Sequence, residues 1–245
     1  MKWLSLGLVL LTSAGSFASE PGSPKRDAAA REAQQAALTK VQSLVGVWRG
    51  TGQPQRGSNK GSWIEQADWS WKFTDNSATL TAKVSEGKYF SAVELQAGEK
   101  PNEYTLIARS SDAKSEMSYR GKLDDEGKLV LTADKAVETM PARISLRFVA
   151  GGDRLLALYE RKSSLGEQLV RLAEVGYTRQ GSGFGKGSTG PECVVTGGLG
   201  TIEVTHDGKT YYVCCTGCRD YFNSSPAEVL ADYNARKAEE KAKAK

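Results

Sequence analysis

With 245 residues, the chain is long enough for one sizeable domain and a smaller one, since domains typically hold roughly 100–200 residues. Its 33 basic and 29 acidic residues leave a net charge of +4, and the basic ones are spread along the chain rather than gathered into a stripe with interleaved aromatics, which argues against nucleic-acid binding. The Lys/Ala/Glu tail over 236–245 reads as a solvated helix end rather than a basic binding arm.

Residues 1–18 read as a secretory signal, with Lys2 as the charged start, an apolar run over 3–11, and small residues Ser16 and Ala18 spaced for cleavage. The expected mature protein begins at Ser19 and is periplasmic or secreted. The apolar run is well short of the roughly 20 residues that span a bilayer, and no later segment qualifies, so stable membrane insertion is not expected. No cysteine follows the expected cleavage position, which argues against a lipid anchor. Residues 19–43 form a Pro/Ser/Gly spacer and then a run of Ala, Gln, Arg and Glu that favours a helix. Leu38, Val41 and Val45, with Leu44 beside them, supply its apolar stripe, so the helix should dock its end onto the neighbouring domain.

From 44 to 179 the pattern changes to short alternating runs separated by turn residues, the mark of half-buried antiparallel strands. Trp69, Trp71 and Phe73 alternate in one run, Ala78, Leu80, Ala82 and Val84 in another, and Ile144, Leu146 and Phe148 in a third. Further strands are predicted near 46–51, 89–95, 103–108, 117–123, 128–132, 154–159 and 169–177, about ten in all. A closed antiparallel meander is favoured because it removes the edges that so many strands would leave exposed. Trp63, Trp69, Trp71, Phe73 and Tyr89 are candidates to line a cavity for a small apolar ligand, although aromatics at strand spacing are more often core packing. No carboxylate pair or nucleophile–base constellation can be singled out in this stretch, and a non-catalytic protein is expected.

The opening Leu44-Val45-Gly46-Val47-Trp48-Arg49-Gly50-Thr51-Gly52 resembles the glycine-x-tryptophan start of calycin barrels, the lipocalin-like and nitrobindin-like proteins. That resemblance implies a short helix before the first strand, a tryptophan plugging one barrel end, and an interior able to hold an apolar ligand. Nitrobindin-like barrels ligate haem through a histidine, and this stretch contains none, so His-ligated haem is not expected in the barrel.

Residues 180–190 are a flexible linker by composition. Their glycines do not make a phosphate loop, because Pro191 follows where a helix would have to open. All four cysteines lie beyond, at Cys193, Cys214, Cys215 and Cys218. Cys215-Thr216-Gly217-Cys218 has the two-residue spacing that lets thiolates grip one tetrahedral ion, with Gly217 expected to permit a tight turn. Runs at 201–205 and 210–213 flank an Asp207-Gly208 turn and predict a hairpin across which Cys193 returns to the same ion. Ser225-Pro226-Ala227-Glu228 predicts a capped helix from about Pro226, with Ser225 as the cap and Glu228 bonding back. A unit of roughly fifty residues has too small a core to stand without a metal or disulfides.

The stretch Tyr211-Tyr212-Val213-Cys214-Cys215-x-x-Cys218-Arg219-x-x-Phe222, followed by Ser225-Pro226, resembles the TRASH/YHS family of small treble-clef-like metal modules. The resemblance implies binding of zinc, copper(I) or another soft ion in heavy-metal handling or sensing, with Cys193, Cys214 and Cys218 as ligands and Cys215 as the fourth candidate. Many members carry a proline directly after the first cysteine, where this chain has Val194. Disulfides are the competing reading for an exported chain, but three cysteines within 214–218 suit a chelate better than two separate bridges. His206, the chain's only histidine, sits at the far end of the hairpin and reads as a turn residue. The expectation is therefore mainly β: a calycin-like barrel of about ten strands (44–179) plus a small treble-clef-like α+β metal module (191–245). A lipocalin-like carrier with a structural C-terminal segment, and a thiol oxidoreductase using Cys215 and Cys218, stay open as alternatives.

Overall fold

Strand β2 (Trp63–Phe73) sets the pattern of the whole molecule: Glu65, Ala67, Trp69 and Trp71 are buried, while Ile64, Gln66, Asp68 and Lys72 between them face solvent. A period of two with one apolar face can only be satisfied by a sheet that covers that face. The computed structural model describes residues 24–164, 166–181 and 190–243. The predicted signal at 1–18 and most of the predicted linker lie outside those residues.

Among the described residues, ten strands close into an antiparallel barrel: β1 (Gly46–Gln53), β2, β3 (Ala78–Ser85), β4 (Phe90–Ala97), β5 (Glu103–Ser110), β6 (Glu116–Leu123), β7 (Leu129–Ala133), β8 (Arg143–Val149), β9 (Arg154–Lys162) and β10 (Leu169–Arg179). Closure is made by β1, which pairs with β2 on one side and β10 on the other. The inward positions bury a continuous core that includes Leu80, Leu95, Tyr119, Leu131, Ala157 and Val175. The closed antiparallel barrel of about ten strands is thus the one expected.

One end of the barrel is plugged by Trp48, fully buried, whose indole N–H donates to the Leu44 carbonyl at 2.7 Å. The Arg179 guanidinium lies 4.2 Å from the centre of its ring and donates to the carbonyls of Val45 (2.7 Å) and Ser43 (2.6 Å). Helix α1 (Pro24–Thr39) docks nearby: the Tyr104 hydroxyl donates to the Ala37 carbonyl, and Gln34 accepts from the Ala78 N–H. Leu38, Val41, Leu44 and Val45 are all buried as expected, but the α-helix stops at Thr39 and a 3-10 turn over Gln42–Leu44 delivers the last of them.

After the barrel come the hairpin β11 (Ile202–His206) and β12 (Lys209–Val213), α2 (Thr216–Ser224) and α3 (Pro226–Lys243). Asp207 and Gly208 both have positive φ (48° and 72°), the type I′ turn the Asp-Gly pair favours. This segment packs on the barrel. Phe73 of β2 stacks on Tyr221 of α2 with centroids 4.8 Å apart, and Arg31 of α1 pairs with Glu228 of α3 at 3.2 Å. That pair corrects one expectation: Glu228 turns toward Arg31 instead of bonding back to Ser225, whose N–H is taken by the Tyr221 carbonyl at 3.1 Å. Helix α2 was not anticipated at all. Among the described residues, no helix is long and apolar enough to cross a membrane.

Candidate functional site

Three short-range devices bring the cysteines together. Cys193 sits in a tight loop where its N–H donates to Gly198 O (2.7 Å) and its carbonyl accepts from Gly197 N–H (2.8 Å). The neighbouring Val194 N–H donates to Tyr212 O at 2.9 Å, which lays this loop alongside β12. Cys214 follows directly on β12, Cys215 is the residue before α2, and Cys218 lies in the first turn of α2.

The Sγ atoms of Cys193, Cys214 and Cys218 all lie within 4.8 Å of one another, and those of Cys214 and Cys218 are 3.5 Å apart. A disulfide requires about 2.05 Å, and none is formed by these four residues. Sulfurs on one tetrahedral ion at about 2.3 Å would lie about 3.8 Å apart, so the observed spacing fits a thiolate chelate. Cys193 and Cys218 are fully buried, and Cys214 and Cys215 nearly so. Cys215 lies beside the triad and carries a backbone hydrogen bond as well. Its Sγ is 3.9 Å from that of Cys214 and accepts the backbone N–H of Trp71 at 3.3 Å.

The electrostatics follow from this crowding. Hydrogen bonds from the Cys214 and Cys218 thiols, together with Thr196, hold the Cys193 thiol down at about 2, and contacts with Cys214 and Cys218 hold Cys215 at about 3. Cys214 is pushed far up, first by its hydrogen bond to Cys193, and Cys218 is pushed up first by burial. Two thiolates and two thiols therefore share a small buried volume, and a soft cation is the group that lets the remaining protons leave. A crevice of about 190 Å³ lined by Gln42, Asp153, Arg179, Leu199 and Cys214 reaches the cluster from the barrel end.

Gly217 has a different reason from the one expected. It lies within helix α2 with ordinary helical backbone, and a Cβ there would fall 1.6 Å from the Trp71 carbonyl oxygen. Glycine is required by this close approach, not by a turn. His206 is not among the converging groups, and its ring lies edge-on to Phe222 at 6.3 Å.

Of the aromatics proposed to line a barrel cavity, Trp69 and Tyr89 do so, in an apolar cavity of about 50 Å³. Trp63 packs edge-on against Tyr89 at 5.8 Å without lining it. Trp71 and Phe73 stack on each other at 5.5 Å on the side where α2 docks, so they serve the cysteine segment. Sequence reasoning missed Glu65, Tyr159 and Tyr177, which also line the cavity. For Glu65 the signal was present: it is a carboxylate in the inward register of Trp63, Ala67 and Trp69.

No protein-family model matches the chain, and no curated protein matches it. Among solved structures it is similar to an S-type phycobiliprotein lyase from Guillardia theta at 11% identity and a TM-score of 0.29, over 66% of this chain and 100% of that one. A likeness of that size assigns no activity to the chain.

Proposed function

We propose that this is an exported protein that binds a soft metal ion, zinc or copper(I), through the thiolates of Cys193, Cys214 and Cys218, in heavy-metal handling or sensing. The observation that carries this reading is the convergence of three buried Sγ atoms within 4.8 Å. Such an ion, when bound, supplies the positive charge that the buried thiolates lack and ties the Cys193 loop to α2. Cys215, whose Sγ lies 3.9 Å from that of Cys214 and accepts the Trp71 N–H, is the fourth candidate ligand, and the crevice beside Cys214 gives an ion a route in and out. That access favours an exchangeable ion over a purely structural one. Metal content and free thiols, measured on protein purified without reductant, test the reading. One soft ion per chain with four free thiols is expected; a metal-free, disulfide-bonded protein with an ordered C-terminal segment sinks it. N-terminal sequencing of the protein from its native source checks export.

A second reading, that the barrel carries a small apolar ligand, is supported by the cavity faced by Trp69 and Tyr89. It predicts saturable binding of an apolar probe that survives replacement of all four cysteines.

A further inference from the structure

The three converging sulfurs are not equally reachable. Cys193 and Cys218 are 0% exposed, whereas Cys214 is 8% exposed and is the one cysteine that lines the crevice of about 190 Å³ at the barrel end. Their places in the chain explain the difference. Cys193 lies inside a loop closed by its own backbone hydrogen bonds, and Cys218 shares the buried face of α2 with Phe222, four residues on. Cys214 instead follows the last residue of β12, where the cysteine segment meets the barrel end. The sulfur of Cys215 is turned to the Trp71 N–H, and that residue does not line the crevice.

The crevice is walled by Gln42, Ser43, Asp153 and Arg179 on the barrel side and by Gly198 and Leu199 on the cysteine side. So polar a lining suits a water-borne, polar molecule rather than an apolar one. A cavity of about 150 Å³ holds benzene, so this one admits a molecule of about the size of the amino acid cysteine. What that molecule must carry at its inner end is set by Cys214. A thiolate's hold on a soft ion is contested best by another thiolate.

We propose that the crevice is an exchange port for a small-molecule thiol, which takes the soft ion from this protein, or delivers it, by displacing Cys214 first. The proposal rests on the reading of the cysteine cluster as a metal site, and adds the exchange partner and the order in which the sulfurs let go. The sulfur of the entering thiol forms its bond to the ion as the bond from Cys214 Sγ breaks, and the proton of the entering thiol ends on Cys214. Nothing is oxidised or reduced. Tetrahedral zinc accepts a fifth ligand in passing, so the step does not depend on whether Cys215 also binds. Thr196, whose hydroxyl is 3.6 Å from Cys214 Sγ, gives the released thiol a hydrogen-bond partner. Cys218 Sγ, 3.5 Å from that of Cys214, is next to be displaced, and the same steps in reverse load the site.

Zinc and free cysteine are the probes. The full chain is loaded with zinc and mixed with a fixed excess of a chromophoric zinc chelator and graded amounts of cysteine, with serine as the counterpart that lacks sulfur. The rate of zinc release should rise with cysteine by about tenfold or more and stay flat with serine. Gly198 lines the same crevice, and a Cβ there would sit in ordinary contact, 3.4 Å from Gln42 Oε1 and 3.6 Å from Thr196 Oγ1, so a valine can enter and narrow the passage. Gly198→Val should slow cysteine-driven release and loading from the zinc–cysteine complex alike, by about tenfold each. Leu199→Phe narrows the passage from the next position and serves in its place if Gly198→Val does not fold. Release that is indifferent to cysteine overturns the proposal and leaves the metal reading standing. Release from the variants as fast as from the parent, or faster, shows that the thiol does not enter here and overturns it too. A chain that takes up no zinc before any thiol is added overturns both.

Discussion

The backbone N–H of Trp71 donates to the sulfur of Cys215 across 3.3 Å, joining the barrel wall to the cysteine cluster. The bond exists because β2 outruns its neighbour. Gly46, the first residue of β1, pairs with Trp69, so the N–H of Trp71 has no strand beside it and would otherwise be a buried, unpaired donor. A sulfur fills the place of the next β1 carbonyl, and the backbone of Gly217 covers the Trp71 carbonyl.

Gly217→Ala should therefore be damaging although alanine is the better helix former by about 1 kcal/mol. The added methyl would fall 1.6 Å from a backbone oxygen that cannot move without breaking the pairing of Trp71 with Leu80. A loss of about 1–3 kcal/mol is expected, in the range of an overpacked core. Thermal melts of the metal-loaded protein check it, and a variant as stable as the parent would show that α2 is not seated on β2 in this way.

The same seating assigns unequal roles to the four thiols. Cys193→Ser, Cys214→Ser and Cys218→Ser should each abolish stoichiometric metal binding, since each removes a member of the converging triad. Cys215→Ser should keep about one ion per chain while hydrogen exchange at Trp71 quickens, because its sulfur serves the strand edge. Native mass spectrometry of the four variants reads the first effect. Loss of the ion from Cys215→Ser would make the shell a four-sulfur one.

How much of this could be read in the residues differs between the two halves. Strand alternation is local, and the period of two in Trp69-x-Trp71-x-Phe73 fixes faces without knowledge of the partner strand; all ten strands followed from it. The Asp207-Gly208 turn was equally legible because only such pairs accept two positive φ angles in succession. What stayed hidden depends on distant neighbours. Helix α2 contains a glycine and ends at Ser224-Ser225, so its propensity is poor, and it is held by packing of Tyr221 on Phe73 and burial of Cys218 and Phe222. The spacing of Cys218, Tyr221 and Phe222 was its one local trace. Which aromatics face the cavity and which face α2 depends on depth along β2, and alternation alone does not report depth.

The plug at the barrel end offers a test of the fold itself. Trp48→Ala should cost about 3–5 kcal/mol, as for a large buried aromatic replaced by alanine. Arg179→Leu should cost about 2–3 kcal/mol, because it leaves the carbonyls of Ser43 and Val45 without their charged donor and uncovers the indole face. The exposed pair Lys72 and Glu94, 3.4 Å apart, is the control, and Lys72→Ala should change stability by no more than about 0.5 kcal/mol. Urea denaturation of the metal-free protein gives all three values. Equal effects for Arg179→Leu and Lys72→Ala would mean that Arg179 does not seal the barrel.

Protons provide the last test, because the cluster holds its charges unequally. Cys193 and Cys215, held at about 2 and about 3, are thiolates at neutral pH, whereas Cys214 and Cys218 keep their protons. An ion bound by Cys193, Cys214 and Cys218 must displace the protons of the last two. Release of about two protons per ion is expected, with affinity falling about a hundredfold for each unit of pH lowered across the neutral range. In the metal-free protein the two pairs act in opposite directions. An unfolded thiol titrates near about 8.5, so the lowered pair contributes stability that is complete above that pH and lost as pH falls toward about 2 to 3. The raised pair contributes stability that is present below about 8.5 and lost as pH rises past it. From these four groups, stability of the metal-free protein should peak near about pH 8.5, and zinc should remove the decline on the alkaline side because bound sulfurs have no protons left to lose. Calorimetry in buffers of different ionisation enthalpy counts the protons, and urea melts at about pH 7, 8.5 and 10 trace the peak. If no protons are released, the cluster is already fully ionised before the metal arrives, and the division into two thiolates and two thiols is wrong.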